Sequence, residues 1–152
     1  MLCGSRFINK HFRIRNTSML SMFSSKSTGI KPPAPAVVQT MTVERLQEII
    51  KANEINQYQL VDVREENELD LAKLKIEGVV NLPLSLAGQW TQQIIRGEIL
   101  DLEKPVLCLC HHGVRSMKMA SFLVQNEFES VYNIEGGIAA YAVEVDPSIG
   151  FY

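Results

Sequence analysis

The sequence predicts an α/β domain with a central, largely parallel sheet of about five strands flanked by helices, and three observations carry that expectation. Residues 60–63, 106–109 and 131–134 are short runs dominated by apolar residues, as strands covered on both faces are. Between them lie segments whose apolar residues recur at helical spacing. With 152 residues and a 46% hydrophobic composition, the chain can bury one core of ordinary size and is too short for two.

Residues 1–36 are expected to be a targeting presequence and Pro-rich linker that stay outside the fold. Six Lys or Arg (Arg6, Lys10, Arg13, Arg15, Lys26 and Lys31) and no Asp or Glu precede Met41, among many serines. A secretory signal needs an uninterrupted apolar stretch of about 7 to 15 residues, a membrane span about 18, and neither is present here. Alternation of Phe7, Ile8, Phe12 and Ile14 with basic residues suits a mitochondrial presequence, and the serine content suits a plastid one. Lys31-Pro32-Pro33-Ala34-Pro35 removes amide donors and fixes an extended path, so the folded domain is expected over residues 37–152.

Thr42 is an expected N-cap, followed by Leu46, Ile49 and Ile50 on one helical face. Residues 60–63 read as a buried strand, and residues 78–84 repeat the pattern and stop at Pro83. Leu86, Trp90, Ile94 and Ile95 restore helical spacing, and residues 106–109 form the most continuously apolar strand. A helix carrying Met119, Ala120, Phe122 and Leu123 is expected from Ser116 to near Asn126. A strand over residues 131–134 follows, and Gly136-Gly137 opens a last short helix containing Ile138 and Tyr141.

Charge and cysteine usage exclude several function classes. The formal net charge is −2, but residues 41–152 hold nine basic against 17 acidic residues, a net −8. Such a domain has no electrostatic reason to bind nucleic acid or an anionic membrane. The cysteines are Cys3, Cys108 and Cys110, and the last two lie too close on one strand for a disulfide framework, which fits a reducing compartment. Cys108, Cys110, His111 and His112 are near neighbours in the chain and cannot surround one zinc tetrahedrally, so no metal is expected.

The chemistry concentrates in Cys110-His111-His112-Gly113-Val114-Arg115-Ser116, where an apolar strand delivers a cysteine into a short loop that runs into a helix. Loop amides, the positive end of the helix dipole and the Arg115 charge all favour a thiolate at Cys110. Gly113 supplies the positive φ that a curling loop needs, and Ser116 is expected to cap the helix through its hydroxyl. His111 and His112 are expected to face solvent. Cys108 shares a strand face with Cys110 but lies deeper, as a core residue. Asp62 and Arg64, at the end of a strand, are expected to form an ion pair or a loop-bracing contact, with direct contact to substrate as the alternative.

Four segments together resemble the single-domain rhodaneses: Leu60-Val61-Asp62-Val63-Arg64-Glu65, Gly78-Val79-Val80-Asn81-Leu82-Pro83-Leu84, the Cys110 loop itself, and Val131-Tyr132-Asn133-Ile134-Glu135-Gly136-Gly137-Ile138. They occur in the family's order and cover about residues 42–141. The run Glu144-Val145-Asp146-Pro147-Ser148-Ile149 resembles cyanobacterial and plastid members, which tilts the expected location from mitochondrial matrix toward plastid stroma.

The resemblance implies a sulfurtransferase in which Cys110 takes a sulfane sulfur from a small anionic donor such as thiosulfate. Cys110 then holds it as a persulfide and passes it to cyanide, a thiol or an acceptor protein, without organic cofactor or metal. Arg115 is expected to attract the donor and steady the loop. Two other classes compete. Cysteine-dependent phosphatases share the Cys-to-Arg loop, but the related ones resemble this pattern with five intervening residues, whereas four separate Cys110 from Arg115 and Leu109 rather than His precedes Cys110. Rhodanese-like folds also serve as non-catalytic binding or scaffold modules, in which the nucleophile is typically lost; here it is kept. Leu74-Lys75-Ile76 and Tyr141 depart from common family residues, Gly-His-Ile and Trp, and leave acceptor choice open.

Overall fold

The computed structural model describes residues 36–152. The expected presequence and most of its linker, with Cys3, lie outside the described residues. Ten regular elements follow in order: β1 (Gln39–Met41), α1 (Val43–Lys51), β2 (Gln59–Asp62), α2 (Glu66–Leu69), β3 (Val80–Asn81), α3 (Ala87–Ile95), β4 (Val106–Leu109), α4 (Val114–Gln125), β5 (Val131–Ile134) and α5 (Gly137–Glu144). The five strands form one sheet in the order β1-β5-β4-β2-β3, every pair parallel. This is the α/β architecture that the sequence predicts.

Alternation along the central strand separates two apolar layers. Leu107 and Leu109 of β4 pack with Leu46 and Ile49 of α1 and Ile138 and Tyr141 of α5. Val106, Cys108 and, just past the strand, Cys110 face the other way, against Trp90 and Ile94 of α3 and Met119, Ala120 and Leu123 of α4. Every residue of β4 is buried, because helices cover both faces. Thr42 caps α1, its Oγ1 accepting the Arg45 N–H at 3.3 Å.

Three differences from the sequence reading have local causes. β1 is an edge strand with two exposed residues, Gln39 and Thr40, so it lacks an apolar signature. The strand expected over residues 78–84 pairs only at Val80 and Asn81, after which the Leu82 N–H still reaches the Asp62 carbonyl at 2.9 Å and Pro83 has no N–H to offer. The helix after the cysteine loop begins at Val114, two residues before Ser116, because Gly113 takes the N-cap position with φ 85°. Among the described residues no helix is long and apolar enough to cross a membrane.

Candidate active site

The parallel topology places the turns after β2, β3 and β4 at the carboxyl edge of the sheet, where open α/β sheets hold their ligands. Cys110 leaves β4 at this edge. The Gly113 N–H donates to its Sγ at 3.1 Å and the Ser116 hydroxyl donates at 3.2 Å. The setting lined by several amides that the sequence predicts for the thiol is therefore replaced by the Gly113 amide together with a side-chain hydroxyl. Ser116 does not cap the helix: it lies within the first turn of α4, fully buried, and its hydroxyl serves the sulfur. Cys110 itself is only 1% exposed, so the sulfur sits behind the loop rather than in an open mouth. Water exclusion strengthens both hydrogen bonds.

The loop turns donors toward the sulfur because its carbonyls are engaged elsewhere. The Ile138 N–H donates to the Cys110 carbonyl at 2.9 Å, and the Ala139 N–H to the His111 carbonyl at 3.0 Å. These are first-turn amides of α5, which have no partner inside their own helix. Gly137 makes the approach possible: its φ is 61°, and a Cβ there would run into the Cys110 and His111 carbonyl oxygens.

Arg115 lies in the first turn of α4, where a cation opposes the helix dipole. Glu68 of α2 resolves that conflict with two short hydrogen bonds, from Nη1 to Oε2 at 2.6 Å and from Nη2 to Oε1 at 2.5 Å. The Arg115 charge, read from sequence as facing the thiol and the donor, is thus shared with a carboxylate. Hydrogen bonding to Arg115 pulls the Glu68 carboxyl down to about 2, against burial, which opposes it. Arg115 is raised by the same contact.

Asp62 and Arg64 form a second, deeper pair. Arg64 is fully buried, its Nη2 is 2.7 Å from Asp62 Oδ2, and its Nη1 donates to the Ala72 carbonyl at 2.9 Å. The two pairs are joined by Tyr152, whose hydroxyl accepts from Arg64 Nη1 at 3.0 Å and donates to Glu68 Oε1 at 3.0 Å. Burial raises the Tyr152 phenol, so the proton it donates stays on the oxygen. The Tyr152 ring also stacks on His111, with centroids 4.1 Å apart, and His111 stacks in turn on His112 at 3.8 Å. His112 faces solvent as expected, whereas His111 is half-buried, and burial followed by the neighbouring His112 lowers its basicity.

The structure thus brings Cys110, Gly113 and Ser116 into direct contact. His111 and Arg115 flank them through Tyr152 and Glu68, Val114 projects outward, and Asp62 and Arg64 stand behind. Cys108 is a core thiol, pushed up to about 12 by burial. Trp90 and Tyr141 are core residues, the indole N–H donating to the Pro83 carbonyl and the Tyr141 hydroxyl to Gln47. Sequence reasoning missed Glu68 and Tyr152. Arg115 at a helix start called for a carboxylate partner, but nothing in the pattern separated Glu68 from Glu65 and Glu66. For Tyr152, distant in sequence and in no periodic element, there was no signal.

The chain has relatives among known proteins. The Rhodanese-like domain model matches residues 42–144. The Rhodanese-like/PpiC domain-containing protein 12, chloroplastic, of Arabidopsis thaliana is 45% identical over 98 residues, covering 64% of this chain and 31% of that longer protein. Thiosulfate sulfurtransferase GlpE of Vibrio cholerae is 33% identical over 88 residues, 58% of this chain and 76% of the relative. Among solved structures, a rhodanese-related protein from Thermoplasma volcanium aligns with a TM-score of 0.55 at 31% identity, covering 70% of this chain and 93% of the other. The single-domain sulfurtransferase RDL2 of Saccharomyces cerevisiae, at 17% identity and a TM-score of 0.59 over 78% of this chain and 99% of the other, shares the fold. A cysteine at the carboxyl end of the central strand, in a parallel five-stranded sheet matched over nearly all of the described residues, places this chain in the rhodanese-like domain family.

Proposed function

We propose that the protein is a rhodanese-type sulfurtransferase that carries sulfur as a persulfide on Cys110. The observation that carries this reading is the pair of donors, Gly113 N–H and Ser116 hydroxyl, aimed at Cys110 Sγ at 3.1 and 3.2 Å. The thiolate of Cys110 attacks the outer sulfur of thiosulfate, a new S–S bond forms, and sulfite leaves with the electron pair of the bond that breaks. In the second half, cyanide, a thiol or an acceptor protein attacks the terminal sulfur and the electron pair returns to Cys110. Donors already in place stabilise charge on sulfur at both stages without reorganising.

The sulfur travels covalently, so the scheme uses no organic cofactor or metal. Relatives named thiosulfate sulfurtransferase support the donor class. The chloroplastic Arabidopsis relative, with the basic and serine-rich residues 1–36, supports a plastid stromal location. Thiocyanate formation from thiosulfate and cyanide tests the reading: wild type should turn over and Cys110→Ser should fall to background. Equal thiocyanate production by both proteins, or hydrolysis of p-nitrophenyl phosphate in place of sulfur transfer, would overturn it.

A further inference from the structure

One side chain reaches both ends of the cysteine loop from outside, one directly and the other through a shared carboxylate. The Tyr152 ring lies on His111, the residue after the nucleophile, in a near-parallel stack with centroids 4.1 Å apart and planes 17° from parallel. Its hydroxyl donates to Glu68 Oε1, and the same carboxylate takes both Arg115 hydrogen bonds at the loop's far end. That hydroxyl also accepts from buried Arg64, which is tied to Asp62 at the end of β2. A continuous chain, Asp62–Arg64–Tyr152–Glu68–Arg115, therefore ties the far end of the loop to the sheet.

We propose that Tyr152 is a positioning residue for sulfur transfer, holding the Cys110 loop closed so that the Gly113 N–H and the Ser116 hydroxyl stay aimed at the sulfur. The inference rests on the sulfurtransferase reading above. One arm of the clasp acts on His111, which follows the nucleophile directly, and the other on Arg115, which precedes the donor Ser116. Cys110 is 1% exposed with the clasp shut, so loosening it has two opposite consequences. The sulfur becomes more open to an uncatalysed reagent, and charge developing on it loses its fixed donors. Tyr152→Phe removes the hydroxyl arm and keeps the stack; Tyr152→Leu removes both.

The test measures single-turnover sulfur loading from thiosulfate and alkylation of Cys110 by iodoacetamide in the full chain, with peptide mapping to separate Cys3, Cys108 and Cys110. Loading at saturating donor should fall about fivefold in Tyr152→Phe and about twentyfold in Tyr152→Leu, as expected for one and two lost contacts, with little change in half-saturating thiosulfate. Alkylation of Cys110 should rise in the same order while core Cys108 stays unmodified. Wild-type loading by both variants would overturn the inference, and so would faster loading together with faster alkylation, since Tyr152 would then be a gate rather than a brace. If Tyr152→Leu also exposes Cys108, its fold has opened and Tyr152→Phe alone decides. Wild-type and Cys110→Ser proteins in the same series separate the two questions: sulfur on wild type alone upholds the sulfurtransferase reading whatever the Tyr152 variants do.

Discussion

At the scale of single residues, the site depends on where a few donors point. Ser116 sits in the first turn of α4 with its hydroxyl on Cys110 Sγ, and this makes its role separable from that of a cap. A cap replaced by Ala costs about 1 kcal/mol. A serine inside a helix, bonded to a sulfur, gives a different pattern: Ser116→Ala should leave the melting temperature unchanged or slightly raised, because Ala is the better helix former, and should slow sulfur loading about fivefold. Calorimetry alongside single-turnover kinetics checks both halves. Arg64 behaves in the opposite way. It is fully buried and answers the charge of Asp62, so Arg64→Met should destabilise the fold by about 3–5 kcal/mol in denaturant titrations by leaving that carboxylate buried and unpaired.

At the scale of elements, α5 shapes the cysteine loop by taking its carbonyls, and Gly137 is the point of closest approach. Gly137→Ala should lower stability by at least about 1–2 kcal/mol through its left-handed backbone alone, and should slow sulfur loading because the added methyl displaces the Cys110 and His111 carbonyls. Gly88 in α3 is the control: a Cβ there meets nothing within 4 Å, and Gly88→Ala should stabilise by about 0.5–1 kcal/mol. Elements with a strong apolar signature were legible in the sequence. β4 and β5 fall on the residues expected, and the segment carrying Met119, Ala120 and Leu123 is α4. What escaped was short or exposed: β1 lies at an edge with polar residues, and α2 is a single four-residue turn, Glu66–Leu69, with one apolar residue. The site was legible to the same degree. Cys110, Gly113 and the Asp62–Arg64 pair could be located, whereas the partner of Arg115 and the packing of Tyr152 on His111 depend on tertiary contacts between residues far apart in the chain, which no local pattern encodes.

At the scale of the whole molecule, the bonds joining α2 to α4 link stability to pH. Arg115 holds the Glu68 carboxyl at about 2, below its ordinary value of 4.5. A carboxylate lowered by folding binds its proton less readily in the native state than in the unfolded one. Its stabilising contribution is therefore complete above about pH 5 and disappears as the pH falls toward 2. Denaturation midpoints should drop across that window in wild type, and Glu68→Gln should flatten the drop while lowering the plateau above it. The same parallel sheet that sets α2 beside α4 carries Cys110 to its edge, and the central claim concerns what that cysteine holds. Intact-protein mass spectrometry after exposure to thiosulfate tests it most directly: wild type should gain one sulfur mass, removable by dithiothreitol or cyanide, and Cys110→Ser should gain none. Equal labelling of the two proteins, or no labelling of either, would contradict it.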